Sequence, residues 1–574
     1  MQTSIDLKMK LRKIDHRGYP AYKELKGTYS FPGYTFSIEH VQGDPFAAPS
    51  SVSVHLSAKE AGFPADLLGD PEKPEAKKDA IALADHLLRG FAAELSRHSR
   101  QAKGSGKSGE LSIAVPGQEV LERSACQFDG RGNLTVRFLI GFPAAGRTVL
   151  AGELEKILFD ILPQCIKKRL TYASLSPEKL GAVRDLAEDQ ESLHLQMAER
   201  GLIGFVADGS VLPRESGISS KPLKGAVLFQ SPEQDKVEFT LPHRGTITGM
   251  GIFPGVTLVI GGGYHGKSTL LDAIQAGVYN HIAGDGREFV MTDCTAVKVR
   301  AEDGRCVHGV DISQFIHDLP NRKDTGSFST ENASGSTSQA ASVIEALESG
   351  SHVLIMDEDT CAANFMARDA LMEMAVPDEG EPISAYCRKM HSLYEKCHVS
   401  TILVAGSSSA FFTEADRIIR MKEYIPLDVT EKIRELPGAQ PEIGVPYRKD
   451  FSIPDFSKRR PLAKAGALED RHGRLKKKNL GKDGFVLGHA ETDLRALEQV
   501  PDRCQMEMLA AVTAALRSRM GGKTSLQKLV SDLIDKIEAE GFSAVSDGSI
   551  PGSLAMVRPQ DVFAAVNRCR WIQD

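Results

Sequence analysis

The spacing of apolar residues predicts both strands and helices in the first part of the chain. Residues 134–140 alternate between apolar and polar positions, as a half-buried strand does. Between Pro74 and Ser96 the apolar residues recur every three or four positions, which predicts a helix with one buried face. The two periods together are typical of an α+β fold, and we predict an α+β domain over residues 1–220.

The central part of the chain contains uninterrupted apolar runs that end in glycines or acids. The run 256–260 leads into glycines and then into a helix-like segment, and the run 353–356 leads into two carboxylates. Short runs without alternation are typical of parallel strands that are buried on both faces. We therefore predict an α/β domain with a parallel sheet over residues 221–430.

The last part of the chain is basic and loop-like after residue 430 and helical near its end. An apolar stripe of helical spacing follows the candidate cap Thr524, and its members are Leu526, Leu529, Val530, Leu533 and Ile537. We predict a basic linker and a smaller, mostly helical domain over residues 431–574. A length of 574 residues agrees with three domains.

The composition excludes several classes of protein. A net charge of −6 excludes a uniformly basic chain, so any contact with nucleic acid requires a local basic patch. The nine cysteines contain no CxxC pair, which indicates a reduced protein without a cysteine metal site. Because runs of about 18 apolar residues and a signal peptide are both absent from the sequence, we predict a cytoplasmic protein with no membrane partner.

A phosphate-binding motif follows the run 256–260. The sequence GGGYHGKS is G-x4-G-K-S in the strand, loop and helix context that this motif requires. Its glycines let backbone N–H groups converge on a phosphate at the N-terminus of the next helix. In this interpretation Lys267 reaches the β- and γ-phosphates, and Ser268 binds Mg²⁺. The residues predicted to bind ATP are Gly261, Gly262, Gly263, Tyr264, His265, Gly266, Lys267, Ser268 and Thr269.

Two carboxylates, Asp357 and Glu358, end the second apolar run, 90 residues after Lys267. A parallel strand delivers such residues to the edge of the sheet where the phosphate loop also lies. We predict that Asp357 holds Mg²⁺ through water and that Glu358 polarises the attacking water. The alternative is a strand that ends in solvated acids.

A third motif, ASGSTSQ, lies between these two and opens a helical segment. It resembles the LSGGQ signature of ABC ATPases, with Ser334, Gly335 and Gln339 matching and Ser336 replacing the second glycine. The resemblance implies that Ser334, Gly335 and Ser336 bind the γ-phosphate of ATP held by a second copy of the chain. A serine-rich helix cap is the alternative interpretation.

The resemblance is closest to the group known as predicted ATPases of the ABC class, which has bacterial members and a relative in kinetoplastid mitochondrial RNA editing. It is carried by long segments, among them HVQGDPFAAPS, GVYNHIAGDGRE and MDEDTCAANFMARD. The resemblance implies an ABC-type P-loop core flanked by an α+β domain and a smaller helical domain. It also implies a homodimer with composite ATP sites and a nucleic-acid partner, RNA or DNA.

Several positions differ from ordinary ABC ATPases. Tyr264 and His265 place bulk in the phosphate loop, where Gly-Ser is usual. Asp359 replaces the proline after the catalytic glutamate, and Asn364 replaces the aspartate of the D-loop. The switch histidine is missing, because Gly406 or Ser407 aligns with it; we expect slow hydrolysis, or a water-mediated substitution by Ser407 or Ser408.

Two further residues are candidates for ABC functions. Gln314, which follows Lys267 by 47 residues, is a candidate for the catalytic glutamine that senses Mg²⁺ and the attacking water, although an exposed loop glutamine fits equally well. Phe239 is a candidate for the aromatic residue that stacks on adenine, with a core phenylalanine as the favoured alternative. Only 20 positions separate Gln314 from Ser334, which is too short for the subdomain that grips membrane partners and disfavours a transporter.

Two basic stretches are candidates for a phosphodiester-binding surface. One contains Arg97, Arg100, Lys103 and Lys107 within a Gly/Ser-rich segment, 96–109, that we predict to be a mobile loop; the other is 476–478. Neither contains an aromatic residue that could stack on bases. The bland alternative is a solvated basic face.

The leading hypothesis is an ATP-hydrolysing ABC-class ATPase that uses closure of a dimer to clamp or remodel RNA or DNA. The alternative is a nucleotide-gated binding or scaffold protein with negligible hydrolysis, for which the missing histidine is the reason. A third hypothesis, a P-loop kinase of a small molecule, is disfavoured by the signature-like segment.

Overall fold

The computed structural model describes residues 1–69, 76–368, 381–436, 449–464, 468–470, 473 and 475–573. The chain divides into two compact units. The first unit is Met1–Glu191 with Phe542–Met556, and the second unit is Ser192–Gly541 with Val557–Asp574. Within the described ranges, every helix is too short or too polar to cross a membrane.

The first unit is built on a largely antiparallel sheet with the order β1-β2-β3-β4-β7-β5, in which β6 also pairs with β7 and β1 runs parallel to β2. Along β7 buried positions alternate with half-buried ones, which confirms the strand predicted over 134–140. The strands are β1 Gln2–Thr3, β2 Gly27–Phe31, β3 Tyr34–His40, β4 Ser50–Leu56, β5 Leu111–Ser112, β6 Cys126–Phe128, β7 Leu134–Ile140, β8 Ala144–Ala145 and β9 Thr148–Val149.

Helices cover this sheet and bury their apolar faces against it. The first begins with a capping box, in which the Thr3 hydroxyl accepts from the Asp6 N–H and the Asp6 carboxylate accepts from the Thr3 N–H. The predicted amphipathic helix extends as far as His98. The helices are α1 Ser4–Ile14, α2 Ala58–Ala61, α3 Ala76–His98, α4 Ala151–Glu155 and α5 Leu162–Leu170; α6 Pro177–Glu199 begins in this unit and ends in the second.

The segment after α3 is held by backbone hydrogen bonds and is not the mobile loop that its composition suggests. The N–H of Ser105 donates to the Ala144 carbonyl at 2.7 Å, and the N–H of Lys107 donates to the Pro45 carbonyl at 2.8 Å. Ser108 is buried, and its hydroxyl accepts from the Ala144 N–H. Glycines made the segment look flexible, whereas they allow its close packing on the neighbouring backbone.

A late segment of the chain belongs to the first unit. The Ser124 N–H donates to the Leu554 carbonyl at 2.9 Å, and the Ser124 hydroxyl donates to the Pro551 carbonyl at 2.6 Å. Arg123 forms an isolated bridge with Ala555 beside these contacts. Residues 542–556 therefore complete the fold of a unit that begins 541 residues earlier.

The second unit contains a six-stranded sheet with the order β17-β20-β21-β15-β22-β23, in which all neighbours are parallel except β22 and β23. Every residue of β20 is buried, as the uninterrupted apolar run 353–356 predicts, and every residue of β21 is buried as well. The strands of this sheet are β15 Val256–Ile260, β17 Val297–Lys298, β20 Val353–Asp357, β21 Ser400–Val404, β22 Arg417–Lys422 and β23 Ile425–Asp428.

An antiparallel sheet with the order β13-β14-β10-β16 and several smaller sheets complete the strands of the second unit. The strands of the four-stranded sheet are β10 Gly204–Ala207, β13 Lys236–Leu241, β14 Gly245–Ile252 and β16 Val290–Thr292. The smaller sheets contain β11 Arg214–Ser216, β12 Ser219–Pro222, β18 Val307–Val310, β19 Phe328–Thr330, β24 Leu462–Ala463, β25 Lys477–Asn479, β26 Gly484–Leu487, β27 Ala490–Asp493 and β28 Ile572–Gln573.

The helices of the second unit include the two that were predicted beside the phosphate motif and the signature-like segment. The predicted C-terminal stripe also forms a helix, but its cap is Ser525 and not Thr524, because the Ser525 hydroxyl accepts from the Lys528 N–H. The helices are α7 Lys267–Ala276, α8 Gly335–Glu348, α9 Ala363–Met366, α10 Met390–Cys397, α11 Thr430–Arg434, α12 Arg503–Arg517, α13 Leu526–Glu540 and α14 Pro559–Val566.

Candidate functional site

The carboxyl ends of four parallel strands bring the candidate residues to one edge of the six-stranded sheet. Glu358 follows β20, Ser407 lies shortly after β21, the glycine-rich loop follows β15, and the turn at Tyr424 follows β22. Because β15 lies between β21 and β22, the loop has the acid on one side and the turn on the other. Ligands of open α/β sheets bind at such an edge.

The glycine-rich loop has the backbone conformation of a phosphate-binding loop. Gly261 and Gly266 have φ values of 146° and 94°, which side chains rarely adopt. A Cβ atom at Gly261 would lie 2.6 Å from the Met421 carbonyl oxygen, so the position requires glycine. The loop ends at the N-terminus of α7, where Ser268 is exposed and free backbone N–H groups favour an anion.

Lys267 lies over the loop that precedes it. Its Nζ donates to the carbonyl of Gly261 at 2.7 Å and to the carbonyl of Gly262 at 3.0 Å. These bonds hold the ammonium group at the mouth of the loop, where its charge adds to that of the helix N-terminus. The remaining residues of the motif, Gly263 and Thr269, lie on the loop and in the first turn of α7.

The two bulky residues of the loop, Tyr264 and His265, have different surroundings. Tyr264 is 100% exposed and has a positive φ of 62°. The imidazole of His265 is directed to the turn after β22, where its Nδ1 accepts from the Glu423 N–H at 2.9 Å. The backbone carbonyl of His265 accepts from the Tyr424 N–H at 3.1 Å. His265 therefore braces the loop against that turn.

The turn between β22 and β23 is strained. Lys422 and Ile425 pair across it, so Glu423 and Tyr424 form a two-residue hairpin loop. Their φ values are 51° and 69°, the left-handed conformation that Asn-Gly normally supplies in such hairpins. For ordinary side chains this conformation costs about 1 kcal/mol or more per residue. Sequence reasoning missed this turn because Glu-Tyr gives no turn signal.

Asp357 is the last residue of β20 and is buried to 7% exposure. Burial raises the pKa of its carboxyl group, the hydrogen bond from the Asp359 N–H and the charge of Lys298 lower it, and the charges of Asp359 and Glu498 raise it. A divalent cation would relieve this accumulation of negative charge. The Asp357 carboxylate and the exposed Ser268 hydroxyl are oxygen donors, which suit Mg²⁺.

Glu358 accepts three hydrogen bonds from the loop after β21. Its Oε2 accepts from the N–H of Gly406 at 2.8 Å and from the N–H of Ser407 at 3.0 Å, and its Oε1 accepts from the Ser407 hydroxyl at 2.7 Å. Burial alone would raise the pKa of Glu358, but these bonds outweigh it and hold the pKa below its usual value.

Gly406, which donates to Glu358, also lies next to the phosphate loop, because a Cβ atom at Gly406 would lie 3.9 Å from the Lys267 Nζ. The residues aligned with the switch histidine thus lie between Lys267 and Glu358. The Ser408 hydroxyl accepts from the Ala410 N–H at 3.2 Å, and its substitution for the switch histidine through a water stays a prediction.

The signature-like segment forms the N-terminus of α8. Ser334 is the N-terminal cap position and is exposed, whereas Ser336 is buried and its hydroxyl donates to the Asn364 side chain at 2.6 Å. Gln339 is buried and accepts from the Ala362 N–H at 2.8 Å. Gly335 lies between the two serines. Asn364 therefore packs against the start of α8, where the cap Ser334 is exposed and Gly335 is half-buried.

The two remaining candidates have partners elsewhere. The Gln314 side-chain oxygen accepts from the Ser452 N–H at 3.3 Å, and its role as a catalytic glutamine stays a prediction. Phe239 is wholly buried, with its ring 5.0 Å from that of Phe205 and with the Arg200 guanidinium 4.5 Å above it. The candidate role of Phe239 in adenine stacking is wrong, because its ring is enclosed in the core.

The fold and the loop define a P-loop ATPase core between an N-terminal and a C-terminal domain. Three family models match the chain in series: the ABC_ATPase P-loop domain over residues 176–450, the N-terminal domain of ATPases of the ABC class over residues 4–173, and the MRB1590 C-terminal domain over residues 476–573. The chain belongs to the ATPases of the ABC class, as its motifs predict.

Individual relatives add little beyond the family. The chain is 28% identical over 247 residues to the uncharacterised protein MJ1628 of Methanocaldococcus jannaschii, and the match covers 41% of this chain and about half, 54%, of that protein. A solved structure of cbiO1 from Clostridium perfringens, part of the ABC transporter complex cbiONQ, matches 40% of this chain and 92% of its own at 13% identity. Its TM-score of 0.23 supports no structural argument.

Proposed function

We propose that this protein hydrolyses ATP at sites shared between two copies of the chain. The observation that carries the proposal is the row formed by Lys267, the Gly406–Ser407 loop and Glu358 at one edge of the sheet. A triphosphate held by the loop and directed along this row brings its γ-phosphate towards a carboxylate. An ionised carboxylate beside a γ-phosphate can orient and deprotonate a water molecule.

Each residue of the row has a distinct part in this mechanism. The loop N–H groups and Lys267 hold the β- and γ-phosphates and offset their charge. Ser268 and Asp357 would hold Mg²⁺, which would neutralise charge on the phosphate oxygens. Glu358 accepts the proton of the attacking water once one of its oxygens is released by Ser407.

The exposure of Ser334 in the signature-like segment supports a site that a second copy of the chain completes. Ser334 is exposed at the N-terminus of α8, and that helix packs against β18, α9 and α14 of its own chain. A hydroxyl and free N–H groups at an exposed helix N-terminus suit a γ-phosphate presented by another protomer. ATP would then close the homodimer, because the sandwich contacts exist only in the closed state.

The test of the catalytic assignment is Glu358→Gln, which keeps the shape but cannot accept a proton. We expect turnover to fall by at least about a hundredfold while ATP binding is retained. Asp359→Asn is the matched control, because that side chain is exposed and only its backbone N–H contacts Asp357. Equal turnover in Glu358→Gln and the wild type would remove Glu358 from the mechanism.

We further propose that dimer closure acts on RNA or DNA and not on a membrane transporter. The short spacing from Gln314 to Ser334 and the exposed lysines 476–478 support this proposal. In the other basic stretch, which contains Arg97, Arg100, Lys103 and Lys107, the two arginines have the acids Glu94 and Glu110 within 3.4 Å, which weakens their attraction for phosphodiesters. We therefore favour the lysines 476–478.

Filter binding to RNA and DNA homopolymers, with and without ATP and across a salt series, tests the nucleic-acid partner. Alanine at all three lysines should reduce affinity for every sequence and lower the salt slope by about two to three. The control replaces Lys523, Lys528 and Lys536, of which the last two pair with acids on their own helix. Binding that does not depend on salt would refute a phosphate contact.

A second candidate function is a nucleotide-gated scaffold with negligible hydrolysis. The three hydrogen bonds to Glu358 favour it, because a carboxylate whose two oxygens are occupied is a poor base. Tight ATP binding with turnover near background, both with and without nucleic acid, would select this function over the first.

A further inference from the structure

The loop residues bind the phosphates, which leaves open which aromatic side chain stacks on the base of the nucleotide. Phe239 cannot do so, because its ring is buried. Phe239 is buried against Phe205 and Arg200, so no ligand ring can reach it without unfolding β13. The proposed mechanism indicates where else to look. In that mechanism the γ-phosphate is directed towards Glu358, on the β21 side of the loop, so the nucleoside would extend towards the other neighbour of β15, which is β22.

The turn that follows β22 presents a tyrosine at that place. Tyr424 is 44% exposed, and a Cβ atom at Gly266 would lie 2.8 Å from its Cδ1 atom, so one edge of the ring rests on the end of the phosphate loop. The Tyr424 N–H and the His265 carbonyl fix the turn to the loop at 3.1 Å. Neighbouring strands lie about 4.8 Å apart, so the ring is within one nucleoside length of the bound phosphates.

The strained conformation of the turn indicates that Tyr424 has a role other than stabilising the fold. Glu423 and Tyr424 both hold positive φ values in a hairpin that glycine would form without strain. Strained residues that persist beside a ligand loop are typical of binding sites. From these observations we infer that Tyr424 is the stacking platform for the base of the bound nucleoside triphosphate. The inference rests on occupation of the phosphate loop by ATP.

The experiment compares ATP with inorganic tripolyphosphate, which has the phosphates but no nucleoside, by calorimetric titration of the full-length protein. Tyr424→Ala and Tyr424→Gly should weaken ATP binding about tenfold, because base–aromatic stacking contributes that order of affinity. Tripolyphosphate should bind both variants as it binds the wild type. Tyr424→Phe should bind both probes normally, because stacking does not need the hydroxyl.

Two controls separate stacking from a structural effect. Tyr424→Gly relieves the positive φ, so its melting temperature should not fall. Phe253→Ala removes a 43% exposed aromatic residue from the opposite end of the same sheet and should change neither affinity. Unchanged ATP affinity in Tyr424→Ala, or an equal loss for ATP and tripolyphosphate, would overturn the inference. A wild-type protein that bound neither probe would also overturn the phosphate-loop assignment, which distinguishes the two failures.

Discussion

The Ser407 hydroxyl donates to the Glu358 carboxylate at 2.7 Å, and the backbone N–H groups of Gly406 and Ser407 donate to the same carboxylate. Gly406 or Ser407 aligns with the switch histidine of other ABC ATPases, which contacts the γ-phosphate. Here both residues bind the candidate base. The serine therefore favours the ionised form of Glu358 and, at the same time, occupies an oxygen that the proposed mechanism requires.

Ser407→Ala should raise the pKa of Glu358, because it removes a hydrogen bond that favours the ionised form. Glu358 would then become protonated at a higher pH. The acid limb of the profile of kcat/KM against pH should therefore move to higher pH. Steady-state ATPase rates between pH 4 and 9 provide the measurement.

Ser408→Ala is the control for this experiment, because the neighbouring hydroxyl contacts Ala410 and not Glu358. Its acid limb should coincide with that of the wild type. An acid limb that stayed in place in Ser407→Ala, or moved to lower pH, would mean that the serine does not control this carboxyl group.

Composite sites predict that two inactive variants restore each other. Lys267→Ala inactivates the phosphate loop, and Ser334→Arg blocks the signature-like helix of the same chain. A mixed dimer contains one site with both defects and one site with neither. Random exchange gives half mixed dimers with one intact site each, so the mixture should regain about a quarter of wild-type ATPase activity.

The measurement is ATPase activity before and after the two variants are mixed at equal concentration. Tagged copies of each variant verify by co-purification that mixed dimers have formed. Mixed dimers without activity would show that each chain completes its own site.

The candidate site could be predicted where its residues are contiguous. The phosphate loop and the acids at the end of β20 lie within short segments whose strand context is visible in the sequence. The burial of Phe239 could not be predicted from its local sequence, because it depends on Phe205 and Arg200, which lie on other elements. Tyr424 was missed for a related reason, since only the pairing of β22 with β23 makes its turn apparent.

The fold of the first unit shows the same limit. Alternation predicted β7 and helical spacing predicted α3, because both patterns are local. Nothing local in residues 542–556 indicates that they pair with Ser124, more than 400 positions away. The glycine content also led to a wrong prediction, that of a mobile loop around Lys107. Those glycines are required instead by the close packing of the backbone.

Stability should depend on pH through His308 of β18. Burial lowers its pKa to about 4, with Arg459 and Lys464 lowering it further and Glu331 raising it. Between pH 6.5 and 4 the unfolded chain binds a proton that the folded chain does not, so the free energy of unfolding falls as the pH falls. The contribution is complete above pH 6.5, and about 1 to 3 kcal/mol of it should be lost by pH 4.

Urea unfolding of the wild type and of His308→Gln at pH 7, 5.5 and 4 measures this contribution. The variant removes the titrating ring, so its free energy of unfolding should fall less steeply over the same interval. Parallel curves for the two proteins would assign the acid sensitivity to other groups.

Gly106 should be intolerant of a side chain for two separable reasons. Its φ is 62°, and a Cβ atom would lie 2.5 Å from the Pro45 carbonyl oxygen, a backbone atom that cannot move freely. Gly106→Ala should destabilise the first unit by about 2 kcal/mol or more, of which about 1 kcal/mol reflects the backbone conformation. Gly146→Ala measures the contribution of the backbone conformation alone, because Gly146 has a φ of 59° and open space around it. Hydrogen exchange of peptides from residues 99–115 localises the effect. If the two variants lost equal stability, the packing of this loop on Pro45 would contribute nothing, and the basic segment would be as free as its composition suggests.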